Sequence, residues 1–329
     1  MKDYLINSFA LISGECVNNT NSTSKKNDSS TKLLFKIESE ENKNNDIVAN
    51  GDNACVSIED NAINSIVPGF TQYNLSIVTK DNKQFNINLH IAKNINKDDL
   101  DKTIKRLLRV LSNMNQDALD NLGIELKNIL LTNEIMFNKN ATAQAIAPLN
   151  QVFVSAKNFA NMSDEECLAT ITHELGHLID HSKDSMIRGK ATNFWEREFS
   201  DLKKSLKAEL GFKTDSHMFD SCSEFFADYY AYKTGAMIDT PTRKAKTQFD
   251  LLEKYLSDIK NYTDDELKAK YGDNLDSVKE VALSYKKLKG EFEYYLSNIN
   301  NGYINIEDRA DEKMEPMNYE QLSELKNTK

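Results

Sequence analysis

Cysteine is scarce in this sequence of 329 residues, and its four cysteines lie far apart with no CxxC pair. Such spacing encodes neither a disulfide framework nor a zinc site built from paired thiolates, so we expect reduced thiols. No run of about 18 uninterrupted apolar residues is present, so no segment is expected to span a membrane. Acidic residues outnumber basic ones, 51 to 41, which gives a formal net charge of −10. Because nucleic-acid binding needs clustered Lys and Arg, we expect a protein or peptide partner and no nucleic acid.

The N-terminus lacks the features of a signal peptide, because polar residues interrupt its short apolar run and no cleavage site of small residues follows. Residues 18–53 consist mainly of Asn, Ser, Lys, Asp and Glu, which bury too little apolar area to offset the entropy cost of ordering. We therefore interpret residues 1–70 as a polar, partly disordered arm. A chain that starts near Ile66 is expected to fold.

From residue 72 the composition changes, and several segments carry the periodicity of regular structure. Residues 72–92 alternate apolar and polar side chains on both sides of a polar turn, which predicts a β-hairpin. His90 lies among apolar neighbours in its second strand and is interpreted as structural. Residues 98–112 repeat apolar side chains at helical spacing, and short apolar runs at 127–132 and 152–155 predict buried strands.

The C-terminal part of the sequence has a helical pattern. From Arg243 to Asn298, charged residues are interleaved with Leu, Tyr and Val at helical spacing, and the polar residues from Gly302 onward are expected to be frayed or loosely docked. The patterns together predict an α+β fold with a small mixed sheet. They divide the chain into the arm, a domain over residues 71–257 and a helical extension with a polar tail over residues 258–329.

Histidine is also scarce, with five in the chain, but two of them stand in the segment THELGHLIDH. In an α-helix, His173 and His177 are four residues apart and project from one face, so they can share a cation. Ser163 and Glu166 form a capping box that predicts the start of this helix. A helix with solvent-facing histidines is the alternative, but the residues around the motif are mostly apolar. Gly176 costs about 1 kcal/mol relative to alanine inside a helix, so it needs a packing reason.

A catalytic zinc site needs a third protein ligand and one open position for water. Glu224 is the candidate, because it opens a later predicted helix on which Asp228 follows at the same face. One carboxylate can bind the metal while the other accepts a hydrogen bond from the free ring nitrogen of a ligating histidine. A solvated acidic stripe fits poorly, since Phe, Ala and Tyr surround both acids. We predict one Zn²⁺ per chain, bound by His173, His177 and Glu224, with Asp228 supporting a histidine ligand.

The segment HELGHLID, followed 47 residues after His177 by the glutamate of EFFADYYAY, resembles the gluzincin metalloproteases of the anthrax lethal factor and clostridial Pro-Pro endopeptidase type. The resemblance covers about residues 98–256 and implies a zincin-like protease domain. It implies Glu174 as the general base that takes a proton from the attacking water. We expect the substrate to lie extended along an edge strand near residues 145–154, and the resemblance favours cleavage near proline.

One position departs from the family pattern. The related proteases have a tyrosine seven residues before the glutamate ligand, where it can stabilise the oxyanion, and this chain has His217 there. An imidazole can also donate to an oxyanion, so His217 joins Glu174 as a candidate catalytic residue. His181 could extend the metal-binding face, although solvent and Asp180 are its expected neighbours. Three tyrosines are alternative oxyanion donors, namely Tyr229, Tyr230 and Tyr232.

The sequence thus predicts a zinc-dependent endopeptidase that hydrolyses peptide bonds in protein substrates. By resemblance it would be secreted or delivered as a toxin-like protein. A second interpretation is a cytoplasmic regulatory metalloprotease, against which the EFFAD segment and the long gap to Glu224 speak. A third is a zinc-stabilised binding module without turnover, which the missing tyrosine at position 217 supports.

Overall fold

The computed structural model describes residues 47–59, 62–135, 139–181, 185–212, 217–300 and 316–321. The chain divides into two compact units, Met1–Leu168 with Glu315–Lys329, and Ala169–Met314. The expected class, α+β with a mixed sheet and helices, is confirmed. Its zincin-like character stays a prediction. The first 46 residues of the predicted arm lie outside the described residues.

An eight-stranded mixed sheet dominates the first unit. The strands are β1 (Ile47–Asn50), β2 (Ala54–Ile58), β3 (Ile63–Asn64), β4 (Phe70–Thr79), β5 (Gln84–Ala92), β6 (Asn128–Thr132), β7 (Ala143–Ile146) and β8 (Gln151–Ser155). Their order is β1-β2-β4-β5-β6-β8-β7, and β3 pairs with β4. The pairs β5–β6 and β6–β8 are parallel, and the others are antiparallel. In the described part of the sheet β7 is an edge strand that pairs with β8.

Strands β4 and β5 form the hairpin that the sequence predicts over residues 72–92. The turn places Asn82 at φ 62°, a left-handed conformation that asparagine tolerates well. Leu75 and Ile77 are fully buried on the inner face, as the alternating pattern requires. His90 is buried too, and its ring contacts Ser65 at 2.8 Å and Asn128 at 3.2 Å, in keeping with a structural role.

Strands β1, β2 and β3 belong to the sheet, although their sequence predicts that they lie in the polar arm. β2 pairs with β4 over five residues and buries Val56 completely. Its partner is distant in sequence, so the local composition does not reveal the strand. A chain that starts near Ile66 would lose β1–β3. The expectation that such a chain folds stays a prediction, and the loss of three strands weighs against it. The expected reduced thiol is wrong for Cys55, which is disulfide-bonded, because sequence spacing does not determine which cysteines pair.

Among its described residues, the first unit has helices α1 (Lys97–Asn113), α2 (Gln116–Glu125) and α3 (Ala156–Phe159) beside the sheet. The apolar stripe predicted for residues 98–112 is the buried face of α1. At the end of this unit, Asp164 accepts hydrogen bonds from Arg106 and Arg109 at 2.8–3.1 Å. These contacts fix the point where the next helix begins.

Residues 316–321 pack against the sheet, although the sequence predicts a frayed tail here. The amide of Gln151 donates to the carbonyl of Met317 at 2.9 Å and accepts from its N–H at 3.1 Å. Tyr319 stacks on Phe153 with ring centroids 4.2 Å apart. One aromatic residue in a polar segment has no periodicity, so its docking could not be predicted.

The second unit is helical. Its helices are α4 (Asp164–His181, in this unit from Ala169 onward), α5 (Ser185–Ser205), α6 (Cys222–Lys233), α7 (Ala245–Asn261), α8 (Asp264–Tyr271) and α9 (Leu275–Asn300). Trp195 of α5 stacks on Phe226 of α6 at 5.4 Å, and Phe292 of α9 contacts both rings at 5.0 and 4.9 Å. Because α9 supplies this aromatic core, α8 and α9 belong to the same unit as α6 and not to a separate extension. Within the described residues, no helix is both long enough and apolar enough to cross a membrane.

Candidate metal centre

Helices α4 and α6 come very close to each other at Gly176. A Cβ atom on this glycine would lie 2.7 Å from the Cα atom of Ala227, a distance that real side chains essentially never show. Gly176 therefore has the packing reason that its helix position requires. Ala227 lies three residues after Glu224 and directly before Asp228. The close contact thus brings the acidic residues of α6 next to the histidine face of α4.

The first turn of α6 is fixed by a side-chain cap. Ser221 is the N-cap, and its hydroxyl accepts a hydrogen bond from the backbone N–H of Glu224 at 3.1 Å. This bond satisfies one of the free N–H groups at the helix start. It also fixes the backbone from which the carboxylate of Glu224 reaches the two histidines.

Three side-chain atoms converge at this place. Nε2 of His173 and Nε2 of His177 are 3.1 Å apart, and Oε2 of Glu224 lies 3.2 Å from the first and 3.3 Å from the second. In a tetrahedral zinc site with bonds of about 2.0–2.1 Å, ligand atoms are about 3.3–3.4 Å apart. The observed distances of 3.1–3.3 Å are close to this spacing. The three predicted ligands could therefore hold a metal ion.

Oε2 of Glu224 is buried without a hydrogen-bond partner among the described residues. The ring nitrogens lie at ion-pair distance from it but not in hydrogen-bond geometry. A buried carboxylate oxygen without a donor is costly, and a cation bound to it removes that cost. This atom is the part of the site that a bound cation would stabilise most directly.

A buried carboxylate supports His173 from its other side. Nδ1 of His173 lies 2.7 Å from Asp228, which is fully buried and also accepts from Arg243 through both carboxylate oxygens at 2.8 and 2.6 Å. Asp228 thus has the supporting position predicted for it. Arg243 compensates its charge, a role that the sequence did not predict. A lone arginine just before a helix carries no signal of this kind in sequence.

The charges around His173 favour a cation. Burial alone would lower the pKa of its imidazole, but the carboxylates of Asp228, Glu224 and Glu174 outweigh burial and raise it to about 10. For Glu224 burial acts in the opposite direction, and the neighbouring histidines nevertheless hold its pKa below the ordinary value. The carboxylates around His173 therefore favour a positive charge at this place, whether a proton or a metal ion supplies it.

The second histidine has a different support. Nδ1 of His177 lies 3.2 Å from the hydroxyl of Ser223, and this hydroxyl donates to Oδ2 of Asp180 at 2.9 Å. Neither residue was assigned a role at the metal from sequence. Asp180 is buried, and Ser223 stands directly before Glu224 in the first turn of α6.

His217 lies at the same site. It begins a short 3-10 helix, His217–Phe219, and its Nδ1 atom is 3.1 Å from Oε2 of Glu224. A distance of at most 4.8 Å separates any two of three possible ligand atoms, one each from His173, His217 and Glu224. His217 is therefore close enough to act as an additional metal ligand. Its side chain is 46% exposed, so it can also reach a bound substrate. Its role as an oxyanion donor stays a prediction.

Two of the alternative oxyanion donors are directed elsewhere. The hydroxyl of Tyr229 donates to Glu293 of α9 at 3.2 Å, and that of Tyr232 donates to Asp250 of α7 at 3.0 Å. The ring of Tyr230 is buried in the core. The side chain of His181 lies outside the described part of the chain.

The general base candidate, Glu174, is next to His173 in α4 and only 8% exposed. The charge of its carboxylate contributes to the raised pKa of His173. Comparison with known proteins adds no identification, since no family model, curated protein or solved structure matches the chain.

Proposed function

We propose that this protein is a zinc-dependent endopeptidase of the lethal factor and Pro-Pro endopeptidase type. The observation that carries the proposal is the triangle of His173 Nε2, His177 Nε2 and Glu224 Oε2, with edges of 3.1–3.3 Å. Two histidines and a glutamate are the ligand set of gluzincin-type catalytic zinc sites, which keep a fourth position for water. One zinc ion per chain follows from one such set.

His173, His177 and Glu224 would hold a zinc ion, which would supply a Lewis acid for the scissile carbonyl and a bound water molecule with a pKa of about 7. Glu174 takes the proton of the attacking water and delivers it to the leaving amine. His217 donates to the oxygen on which negative charge develops. Asp228, paired with Arg243, holds the ring of His173 in the orientation in which its Nε2 atom would face a bound metal ion.

The substrate is a protein or peptide in an extended conformation. Pairing with residues 145–154 and cleavage near proline stay predictions from the family resemblance. Secretion or delivery as a toxin-like protein is part of the same proposal, and detection of the chain in culture supernatant tests it against a cytoplasmic regulatory metalloprotease.

A zinc-stabilised binding module is the second candidate. Its support is the position of His217, whose Nδ1 atom approaches the same oxygen of Glu224 as the two histidines of α4. If His217 occupied the fourth position, no place for water would remain, and the site would be structural.

Glu174→Gln tests the proposal. This change removes the base but keeps the shape of the side chain, so peptide hydrolysis should fall by a factor of about 10² to 10⁴ while one zinc per chain is retained. Zinc content is measured by elemental mass spectrometry, and cleavage is measured by mass spectrometry of a peptide library.

Glu224→Ala is the matched control, and it should lose zinc and cleavage together. Wild-type protein that binds zinc and cleaves nothing in the library would favour the binding module. Cleavage that survives Glu174→Gln would exclude this residue as the base.

A further inference from the structure

The two metal-binding histidines of α4 are supported by chemically different groups on their Nδ1 side. His173 contacts the carboxylate of Asp228 directly at 2.7 Å. His177 contacts the neutral hydroxyl of Ser223 at 3.2 Å, and a carboxylate, Asp180, stands behind this hydroxyl at 2.9 Å. In the second arrangement the hydroxyl oxygen of Ser223 lies between the ligand His177 and the carboxylate of Asp180.

Counting protons fixes the direction of these hydrogen bonds. A serine hydroxyl carries one proton and two lone pairs, and an ionised carboxylate can only accept. The hydroxyl proton of Ser223 is therefore committed to Asp180. Toward His177 the hydroxyl presents a lone pair, which Nδ1 can approach only as an N–H donor. Nδ1 then carries the ring proton, and Nε2 keeps the free lone pair that a metal requires.

The fold builds this connection from two adjacent helices. Asp180 follows His177 by three residues, so α4 presents both side chains on one face. Ser223 comes from the first turn of α6, directly before Glu224. Asp180 is 7% exposed, so water competes little for its carboxylate. The first turn of α6 thus supplies both the proposed ligand Glu224 and Ser223, which supports the ligand His177.

We infer that Ser223 is a positioning residue that, with Asp180 behind it, holds His177 in the tautomer with the proton on Nδ1. Its effect on zinc affinity rests on the proposed function. Its effect on the tautomer does not, since the hydrogen bonds exist without a metal.

The tautomer is measured by ¹⁵N NMR of the neutral His177 ring in the metal-free protein. Wild type should show the proton on Nδ1, and Ser223→Ala should shift the population toward Nε2–H. Ser223→Thr keeps a hydroxyl and should restore the wild-type state. A ring that keeps the wild-type tautomer in Ser223→Ala overturns the inference.

Zinc affinity, measured by competition with a chromogenic chelator, is the second readout. Loss of a residue that orients a ligand typically costs about 10- to 100-fold in affinity, and we expect a loss in this range for Ser223→Ala and recovery for Ser223→Thr. Ser205→Ala is the matched control, because Ser205 is a fully buried serine of the same unit whose hydroxyl donates only to the local backbone, at 2.7 Å from Leu202 O. It should leave affinity unchanged.

Asp180→Asn tests whether the two groups act in series. An asparagine amide no longer commits the hydroxyl proton of Ser223, so the tautomer preference should weaken and affinity should fall. The double change Ser223→Ala with Asp180→Asn should be no worse than Ser223→Ala alone. Additive losses would show that Asp180 acts independently of Ser223 and would overturn this part of the inference.

These results separate the inference from the proposed function. If wild-type protein binds no zinc, the proposed function fails and the tautomer measurement alone decides on Ser223. If wild type binds zinc and Ser223→Ala binds it equally well with an unchanged tautomer, the proposed function survives and the inference is wrong. Should Ser223→Ala fail to fold, Asp180→Asn and Ser223→Thr still give both readouts.

Discussion

At the centre of the sheet in the first unit the buried side chains are mainly aliphatic, whereas in the second unit several ionisable side chains are buried around one point. Leu75 and Ile77 are fully buried in the sheet, and His173, Glu174 and Asp228 are at most 8% exposed in the helical unit. The stabilisation that buried aliphatic side chains provide does not depend on bound ions. A buried cluster of carboxylates needs positive charge to balance it. Changes to the sheet and changes to the cluster should therefore have separable effects.

The largest expected effect on stability lies in the sheet. Leu75→Ala removes a fully buried side chain from β4 and should lower the free energy of unfolding by about 2–5 kcal/mol. Zinc affinity should be unchanged, because all proposed ligands lie in the second unit. Urea denaturation with and without chelator measures the first quantity, and chelator competition measures the second. A parallel fall in zinc affinity would show that the two regions are not energetically separate.

The next effect concerns the cluster and catalysis. His217→Ala should lower kcat by a factor of about 10² or more, roughly 2.7 kcal/mol of transition-state stabilisation, while zinc stays bound and KM changes little. Tyrosine in its place should restore part of the rate. Steady-state kinetics on a cleaved library peptide, with parallel zinc analysis, gives both results. A loss of zinc affinity of tenfold or more would instead make His217 a metal ligand and favour the binding module.

A smaller effect is expected at the contact between α4 and α6. Gly176→Ala gains about 1 kcal/mol of helix propensity, but overpacking against the backbone of Ala227 costs about 1–3 kcal/mol. The net change should be a modest destabilisation with weaker zinc binding, because the two helices carry the ligands. Gly290→Ala in α9 is the matched control, since a Cβ there meets no atom within 4 Å, and it should be neutral or stabilising. Unchanged zinc affinity in Gly176→Ala would mean that the helix contact does not set the ligand distances.

The smallest expected effect is that of Tyr232→Phe. Its hydroxyl bonds to the exposed Asp250, so its removal should cost at most about 1 kcal/mol of stability and leave kcat unchanged. Thermal unfolding and the peptide assay measure the two quantities. A tenfold loss of kcat would return Tyr232 to the list of oxyanion donors and count against His217.

The sequence predicted those features that depend on local spacing. The alternation of residues 72–92 defines the hairpin, and the four-residue spacings of His173 with His177 and of Glu224 with Asp228 place each pair on one helix face. The structure brings both pairs together, and their assigned roles stay predictions. The bulk around the acids of α6 also indicated correctly that they are not a solvated stripe.

Features that depend on distant partners could not be predicted. Arg243 pairs with Asp228 across a turn and a loop, and Ser223 connects two helices through a single hydroxyl. Serine and arginine occur in every kind of structure, so their presence in a sequence does not predict a role at a metal site. The role is recognised only when the fold shows which side chains they contact. The strand β2 was missed for a related reason, because its partners in β4 lie 17–25 residues farther along the chain, from Ile58↔Leu75 to Ala54↔Thr79.

The contact at Gly176 also narrows the pattern by which relatives of this protein can be found. A search for HExxH accepts any residue at the fourth position, but the structure leaves no room there for a side chain. It also demands a small residue three positions after the glutamate ligand, where Ala227 lies. A chain built on this helix pair should read HExGH, followed at a distance by a glutamate, two variable residues, a small residue and an aspartate. Sequences that keep the histidines but place a larger residue at either contact position should have a different spacing between the helices, and with it a different set of metal ligands.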